Sequence, residues 1–286
     1  MTIRKLIKKY STLYPDKEAD LTYLLLELSG LIGSDFYLFY DKDLSTFNPT
    51  LEAEFEKKAK MFIHENIPIQ HLLGYAYFYG YKFIVNSNAL IPRRETQELC
   101  EHILYYFDKY FNEPIKLLDL GCGTGVIGIT LKLEEPRLNV VCSDISTQAL
   151  NLCKLNANAQ NVNIKIIQSD WFKNIDDVFD IIVCNPPYIP KNETLSDIVL
   201  KDPLLALFGG ENGIEHFQSI LKTIGPKLKT KSLVAFEHGF DQRGVIHSLI
   251  EKYLPSGKVI TLKDLSRYDR FTFVGFAGVL ASEKSN

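Results

Sequence analysis

A chain of 286 residues with 46% apolar content can fill one large or two ordinary hydrophobic cores, and two domains is the starting expectation. Its 32 basic and 35 acidic residues leave a formal charge of −3, and neither side of Asn88 is a basic lobe of the kind that holds a duplex through its phosphates, so no direct nucleic-acid partner is expected. No apolar run reaches the roughly 18 residues of a membrane span and no signal-peptide core follows Met1, which predicts a cytoplasmic protein without a membrane partner.

The opening MTIRKLIKKYSTLY is basic, but Ile3, Leu6, Ile7, Tyr10 and Leu13 at helical spacing predict a packed first helix rather than an organelle presequence. Asp20 stands before LTYLLLELSGLIG as an N-cap, and Pro49-Thr50 precede LEAEFEKKAKMFIHE, where Leu51, Phe55, Ala59, Phe62 and Ile63 share a face. These segments predict a small helical domain over residues 1–72. From Ala76 to Asn88 aromatic and β-branched residues flank Gly80, which predicts a β-hairpin linker over 73–90.

Beyond it, over 91–286, short apolar runs alternate with helical patterns: Ile115 to Leu120, Asn139 to Ser143, Ile164 to Gln168, Phe179 to Cys184 and Ser232 to Glu237. That alternation predicts an α/β fold, a parallel sheet covered on both faces, with Lys258 to Leu262 and Phe271 to Phe276 as two last strands. The cysteines, Cys100, Cys122, Cys142, Cys153 and Cys184, lack C-x-x-C spacing and read as small buried hydrophobes in a reducing compartment, with no metal.

In such sheets ligands bind at the carboxyl ends of the strands. The first strand runs into Asp119-Leu-Gly121-Cys122-Gly123-Thr124-Gly125-Val-Ile-Gly128, and the second ends in Asp144, placed to accept from both hydroxyls of a ribose. A nucleoside ligand follows. Gly123-x-Gly125-x-x-Gly128 matches the dinucleotide fingerprint, so NAD stays open here. Two features favour S-adenosylmethionine: Asp119 before the loop, where a carboxylate would lie near the sulfonium and amino-acid end, and Ser169-Asp170-Trp171-Phe172 after the third strand. Asp170 is either an acceptor for the adenine amino group or the N-cap of a following turn.

The fourth strand stops at Asn185-Pro186-Pro187-Tyr188. This tetrapeptide resembles the N/D-P-P-Y/F element of methyltransferases that act on nitrogen conjugated to a π system, whose lone pair is delocalised. Asn185 Oδ1 and the Pro186 carbonyl would each accept one N–H, Pro187 has none to compete, and Tyr188 would offer a face to the planar group. None of this needs a histidine, and the six histidines are read as structural or surface residues.

Further stretches carry a closer resemblance: Pro68-Ile-Gln-His-Leu-Leu-Gly74, Phe78-Tyr-Gly80, Leu90-Ile-Pro92-Arg93-Arg94-Glu95-Thr96, Ala206-Leu-Phe-Gly209-Gly210-Glu-Asn-Gly213, Glu237-His-Gly239 with Gln242, and Lys263-Asp264 with Asp269-Arg270. Together with NPPYI they resemble the HemK family of protein-(glutamine-N5) methyltransferases, which modify the glutamine of the Gly-Gly-Gln motif in peptide chain release factors. The resemblance implies a seven-stranded, Rossmann-like class I methyltransferase domain with a reversed last strand, and a helical N-terminal domain that helps to hold the release factor. It implies S-adenosylmethionine, with S-adenosylhomocysteine as product, lined by Gly121, Gly123, Asp144, Trp171 and Asn185, and the reading of the strand ends and glycine loop adds Asp119, Cys122, Thr124, Gly125 and Asp170 as expected cofactor contacts. The resemblance gives catalysis to Asn185, Pro186 and Tyr188, and holding of the substrate glutamine to those three with Pro187. Three residues depart from the family pattern: Arg94 for a proline, Asp202 for a glutamate, and Cys184 for a serine. The nearest rival reading is an adenine-N6 methyltransferase, which presents the same conjugated amino group; an NAD oxidoreductase and a non-catalytic scaffold both leave the NPPY motif unexplained.

Overall fold

The computed structural model describes residues 1–44 and 48–283; the last three residues of the 91–286 segment lie outside the described residues. The chain divides into two compact units, residues 1–75 with 196–201, and residues 76–195 with 202–286. No helix among the described residues is long and apolar enough to cross a membrane.

The first unit is helical: α1 (Ile3–Leu13), α2 (Glu18–Ser29), α3 (Gly33–Leu38), α4 (Leu51–Glu65) and α5 (Ile69–Leu73). Thr2 caps α1 by accepting from the Lys5 amide, and Ile3, Leu6, Ile7 and Tyr10 turn inward onto Leu24, Leu25, Phe36, Phe55 and Phe62. Leu13, the last member of that stripe, is instead 62% exposed, because the helix ends there. Asp20 is not a cap either: α2 starts two residues earlier, so Asp20 sits in the first turn, where its charge still complements the helix dipole.

A hairpin follows, β1 (Tyr75–Phe78) and β2 (Tyr81–Ile84), in the second unit from Ala76 on, and then α6 (Arg94–Tyr110). Its seven-stranded sheet comprises β3 (Ile115–Leu120), β4 (Leu138–Asp144), β5 (Lys165–Gln168), β6 (Phe179–Cys184), β7 (Leu228–Glu237), β8 (Lys258–Lys263) and β9 (Asp269–Gly275). The order is β5-β4-β3-β6-β7-β9-β8, parallel except at β9, which runs antiparallel to both neighbours. The remaining helices are α7 (Val126–Glu134), α8 (Thr147–Ala159), α9 (Leu204–Leu207), α10 (Glu215–Ile224) and α11 (Arg243–Tyr253).

Strand periodicity explains why the central runs are continuously apolar. Leu117, Ile181, Val183, Leu233 and Phe273 join Leu99, Ile103 and Phe107 of α6 and Ile129 and Leu131 of α7 in one core. Their strand neighbours Leu118, Ile182, Val234 and Val274 turn the other way, onto Phe217, Ile220 and Ile224 of α10 and Ile246 and Ile250 of α11. Every residue of β6 is buried, as a strand covered on both faces requires.

Strand order reverses between β3 and β6, the place where an open α/β sheet leaves a crevice. Register decides what meets there. Leu120 pairs with Ser143 on one side and Cys184 on the other, and Cys184 pairs with Phe236. The residues that follow, Gly121, Asp144, Asn185 and Glu237, therefore stand in one row along the carboxyl edge.

Candidate active site

A cavity opens above that row. Its walls come from 88–96, from the loop after β3 (Leu120, Gly121, Cys122, Gly123, Thr124), from Asp144 to Ser146, from Ser169 to Trp171, from Asn185 and Pro187, and from Pro203, Leu205, Ala206 and His216.

The loop after β3 holds its shape through backbone bonds. The Gly121 and Cys122 amides donate to Ser143 O (2.8 and 2.9 Å) and the Gly125 amide donates to Cys122 O (2.8 Å). Gly121, Gly123 and Gly125 have φ of 77°, 53° and 81°, a region that side chains rarely adopt. The glycines then divide by what surrounds them. A β-carbon on Gly121 or Gly123 would meet a single neighbour at 3.5 Å or beyond, Trp171 or Ala89, so these backbones are open to a ligand. A β-carbon on Gly125 would stand 2.5 Å from Cys153 Sγ, and one on Gly128 2.6 Å from Cys142 Sγ. Those two glycines serve close packing of α7 on β4 and α8. Gly125 is absent from the cavity wall, which departs from its expected contact with the ligand.

Asp144 sits at the rim with both carboxylate oxygens partly used: Oδ2 accepts from the Gly123 amide (2.9 Å) and Oδ1 from the Ser146 amide (2.8 Å). Each oxygen keeps a lone-pair site for a diol. Burial raises its pKa, and the amide bonds oppose that rise. Asp119 is placed differently from expectation. It is 1% exposed, lies beneath the loop rather than on the cavity wall, and accepts the Gly128 amide at Oδ2 (2.9 Å). Burial pushes it up to about 8, and its Oδ1 has no hydrogen-bond partner among the described residues.

Across the cavity the Ser169 hydroxyl donates to Trp171 O (2.7 Å) and accepts the Asn174 amide (3.0 Å), pinning Trp171 at a φ of 48°. Trp171 packs against His216, ring centroids 5.2 Å apart. His216 is thus a wall residue rather than a bystander, and burial lowers its pKa toward the neutral imidazole. Asp170 reaches the wall while pairing with Lys173 (2.5 Å).

At the NPPY turn, Asn185 and Pro187 line the cavity. Pro186 and Tyr188 are not among the wall residues; Pro186 is buried, and Tyr188 packs against the β6–β7 core. The turn is clamped from behind: Gln242 Nε2 donates to Tyr188 O (2.9 Å) and Gly213 O (3.1 Å), and the Ile189 carbonyl accepts from the Gly209 amide (2.8 Å). A β-carbon on Gly209 would lie 2.5 Å from Pro187 O, so that loop approaches the turn only as glycine. Behind Asn185, its Nδ2 donates to Thr96 Oγ1 (3.3 Å), and Thr96 Oγ1 donates to Glu237 Oε2 (2.8 Å).

Sequence reasoning passed over Asn156 and left Asp202 and Arg94 without a structural role. Asn156, fully buried on α8, accepts the Ile84 amide (2.7 Å) and donates to Ile84 O and Thr124 O (3.0 Å each), tying the hairpin to the glycine loop. Asp202 accepts from the Ile91 amide (3.2 Å) and pairs with Arg93 (2.6 Å), fixing the wall segment before α6. Arg94 is the exposed first residue of α6, where a helix tolerates proline because that N–H is unpaired anyway; the change therefore leaves the cavity untouched. Cys122, Cys142 and Cys153 converge with their sulfurs within 4.8 Å of one another, although their sequence spacing suggested no cluster.

The Methyltransferase small domain family matches residues 101–201. A release factor glutamine methyltransferase of Bacillus cereus is 35% identical over 240 residues, covering 80% of this chain and 85% of that protein. One of Streptococcus pneumoniae is 32% identical over 262 residues, 91% of this chain and 92% of that protein. The chain belongs to the release factor glutamine methyltransferase family. Its fold also matches a crystal structure of a methyltransferase from Pyrococcus furiosus, at a TM-score of 0.52 and 14% identity over 77% of this chain and 98% of that one.

The methyl donor of the family is S-adenosylmethionine, and the cavity suits it. Open glycine backbone faces its rim, Asp144 retains acceptor capacity for a ribose, and Trp171 and Leu205 give apolar cover. A bound donor would supply an electrophilic methyl group on a sulfonium.

Proposed function

We propose that this methyltransferase modifies the side-chain amide nitrogen, N5, of the glutamine in the Gly-Gly-Gln motif of peptide chain release factors, in the cytoplasm where those factors act. The observation that carries the reading is Asn185: it directly follows β6 beside the glycine loop and lines the same cavity. A carboxamide nitrogen is a weak nucleophile because its lone pair is shared with its carbonyl. Asn185 Oδ1 and the Pro186 carbonyl accept its two N–H bonds and so hold the group at a fixed angle. Pro187 carries no N–H to compete for those acceptors. Holding a reacting group in this way can account for roughly 7 kcal/mol of a barrier. The proton leaves after methyl transfer, when the nitrogen has become acidic. Tyr188 acts here through its backbone, held by Gln242, and through its packing under the turn.

Gly121, Cys122, Gly123, Thr124, Asp144, Asp170 and Trp171 hold the donor; Asp119 and Gly125 shape the loop from below. The helical unit contacts the release factor outside its loop, for which Ile32, Tyr37 and Leu38, exposed by 68, 70 and 74%, offer apolar surface.

The test is incubation with radiolabelled S-adenosylmethionine and, separately, intact release factor, a Gln→Ala variant of its Gly-Gly-Gln loop, DNA and RNA. Label confined to intact release factor is expected. Label in nucleic acid would transfer the same amide-holding chemistry to adenine and overturn the choice of substrate.

A further inference from the structure

We infer that Thr96 and Glu237 are positioning residues that fix which end of the Asn185 carboxamide faces the substrate. The inference rests on the amide-holding role proposed above. A carboxamide has two ends of almost equal size, an acceptor and a donor, and only the acceptor can hold a substrate N–H. Nothing in the shape of Asn185 chooses between them. The choice is made behind it. An ionised Glu237 can only accept, so it takes the single proton of the Thr96 hydroxyl at 2.8 Å. Thr96 Oγ1 is then left with lone pairs alone, and it accepts from Asn185 Nδ2 at 3.3 Å, an NH₂ group that the Glu237 carboxylate also attracts directly. With its nitrogen committed, Asn185 presents Oδ1 to the cavity. In the flipped arrangement Oδ1 would confront the lone pairs of Thr96 and the NH₂ would face the substrate, a repulsive contact at both ends.

The parts are built for this. Thr96 and Glu237 are 3% and 1% exposed, so water cannot substitute for either partner. They come from the first turn of α6 and the end of β7, and the register that pairs Cys184 with Phe236 brings Glu237 beside Asn185. Arg270 on β9, Glu95 and Cys100 on α6, and Tyr188 after β6 are the titratable and charged groups around Glu237. Burial dominates among these influences and holds Glu237 up to about 7. Below that pH a protonated Glu237 donates to Thr96 Oγ1. The threonine proton is then free to turn to Asn185 Oδ1 and lock the amide the wrong way round. Turnover therefore falls as pH drops through about 7, without loss of donor binding.

The experiment compares Thr96→Val, Thr96→Ser and Glu237→Gln with wild type. It measures kcat and KM for methylation of release factor, the Kd of S-adenosylmethionine as a check on folding, and kcat from pH 5.5 to 9. Thr96→Val keeps the volume and loses the relay, and is expected to lower kcat by about 10- to 100-fold with KM and Kd within about threefold. Thr96→Ser keeps the hydroxyl and stays within about threefold of wild type. Glu237→Gln lowers kcat less than Thr96→Val, because its amide oxygen still accepts, and it loses the low-pH limb. Serine as damaging as valine would assign Thr96 to packing and overturn the inference, as would an unchanged kcat in Thr96→Val or a surviving low-pH limb in Glu237→Gln. If wild type methylates another amino group and not release factor, the functional reading fails separately, and the same variant ratios measured on that acceptor still judge the relay.

Discussion

Replacing Gly125 by alanine separates the two duties of the glycine loop. Gly125 has a φ of 81°, and its new β-carbon would lie 2.5 Å from Cys153 Sγ and 2.9 Å from Ile129 Cδ1. The left-handed conformation costs a residue with a β-carbon about 1–2 kcal/mol. Forcing a methyl group into a filled core adds about 1–3 kcal/mol. The total of about 2–5 kcal/mol corresponds to a fall in Tm of roughly 4–20 °C for a domain of this size. Gly123→Ala is the internal control: its φ is 53°, but the nearest neighbour of the new atom is Ala89 Cβ at 3.8 Å. Strain alone then lowers Tm by roughly 2–8 °C, while the methyl group on the cavity wall weakens donor binding by about tenfold or more. Thermal unfolding followed by circular dichroism, with calorimetric titration of S-adenosylmethionine, reads both quantities. Adding Cys153→Ala to Gly125→Ala should relieve the contact with Sγ but neither the contact with Ile129 Cδ1 nor the backbone strain, and so restore less than half of the loss. A Gly125→Ala protein as stable as Gly123→Ala would refute the division between packing glycines and ligand-facing glycines.

Other substitutions test the site residue by residue. Asn185→Ala should reduce kcat by about 100-fold or more while the donor Kd moves by less than about threefold, since the lost contact is to the acceptor amide; steady-state kinetics and titration separate the two. Asp144→Ala should do the reverse, weakening the donor first, because it removes the rim acceptor and frees the Gly123 amide. Asp119→Asn bears on stability through pH. An acid near 3.9 when unfolded and about 8 when folded destabilises the native state progressively between those values and fully above the upper one. The asparagine, which still accepts the Gly128 amide through its oxygen, should therefore raise Tm at pH 8.5 and lose that advantage toward pH 4. A Tm gain that did not depend on pH would mean that charge burial is not the cause.

Fold was legible wherever local chemistry repeats. The β3 and β6 segments were bounded to the residue, because each is a short apolar run closed by glycine or by asparagine and proline, punctuation that ends a strand whatever surrounds it. α2 was less legible at its start, where Asp20 offered a familiar cap but the chain enters the helix through Pro15–Lys17, a short 3-10 turn. In the site, glycine spacing and the strand ends pointed to Gly121, Gly123 and Asp144, and all three line the cavity. Depth was not. Nothing in Asp119-x-Gly121 says that the carboxylate points under the loop, or that Gly125 faces a cysteine on α8, since both depend on side-chain directions fixed by the core. Thr96 and Glu237 appeared in quoted motifs without a role, and they are 141 residues apart, joined through a strand register that periodicity does not encode.

The most direct measurement is a structure with S-adenosylhomocysteine and a peptide containing the Gly-Gly-Gln motif. The glutamine side-chain nitrogen is expected within about 3 Å of both Asn185 Oδ1 and the Pro186 carbonyl oxygen, facing the sulfur. A glutamine amide bound elsewhere, or Asn185 turned with Nδ2 toward it, would rule out amide holding by the NPPY turn.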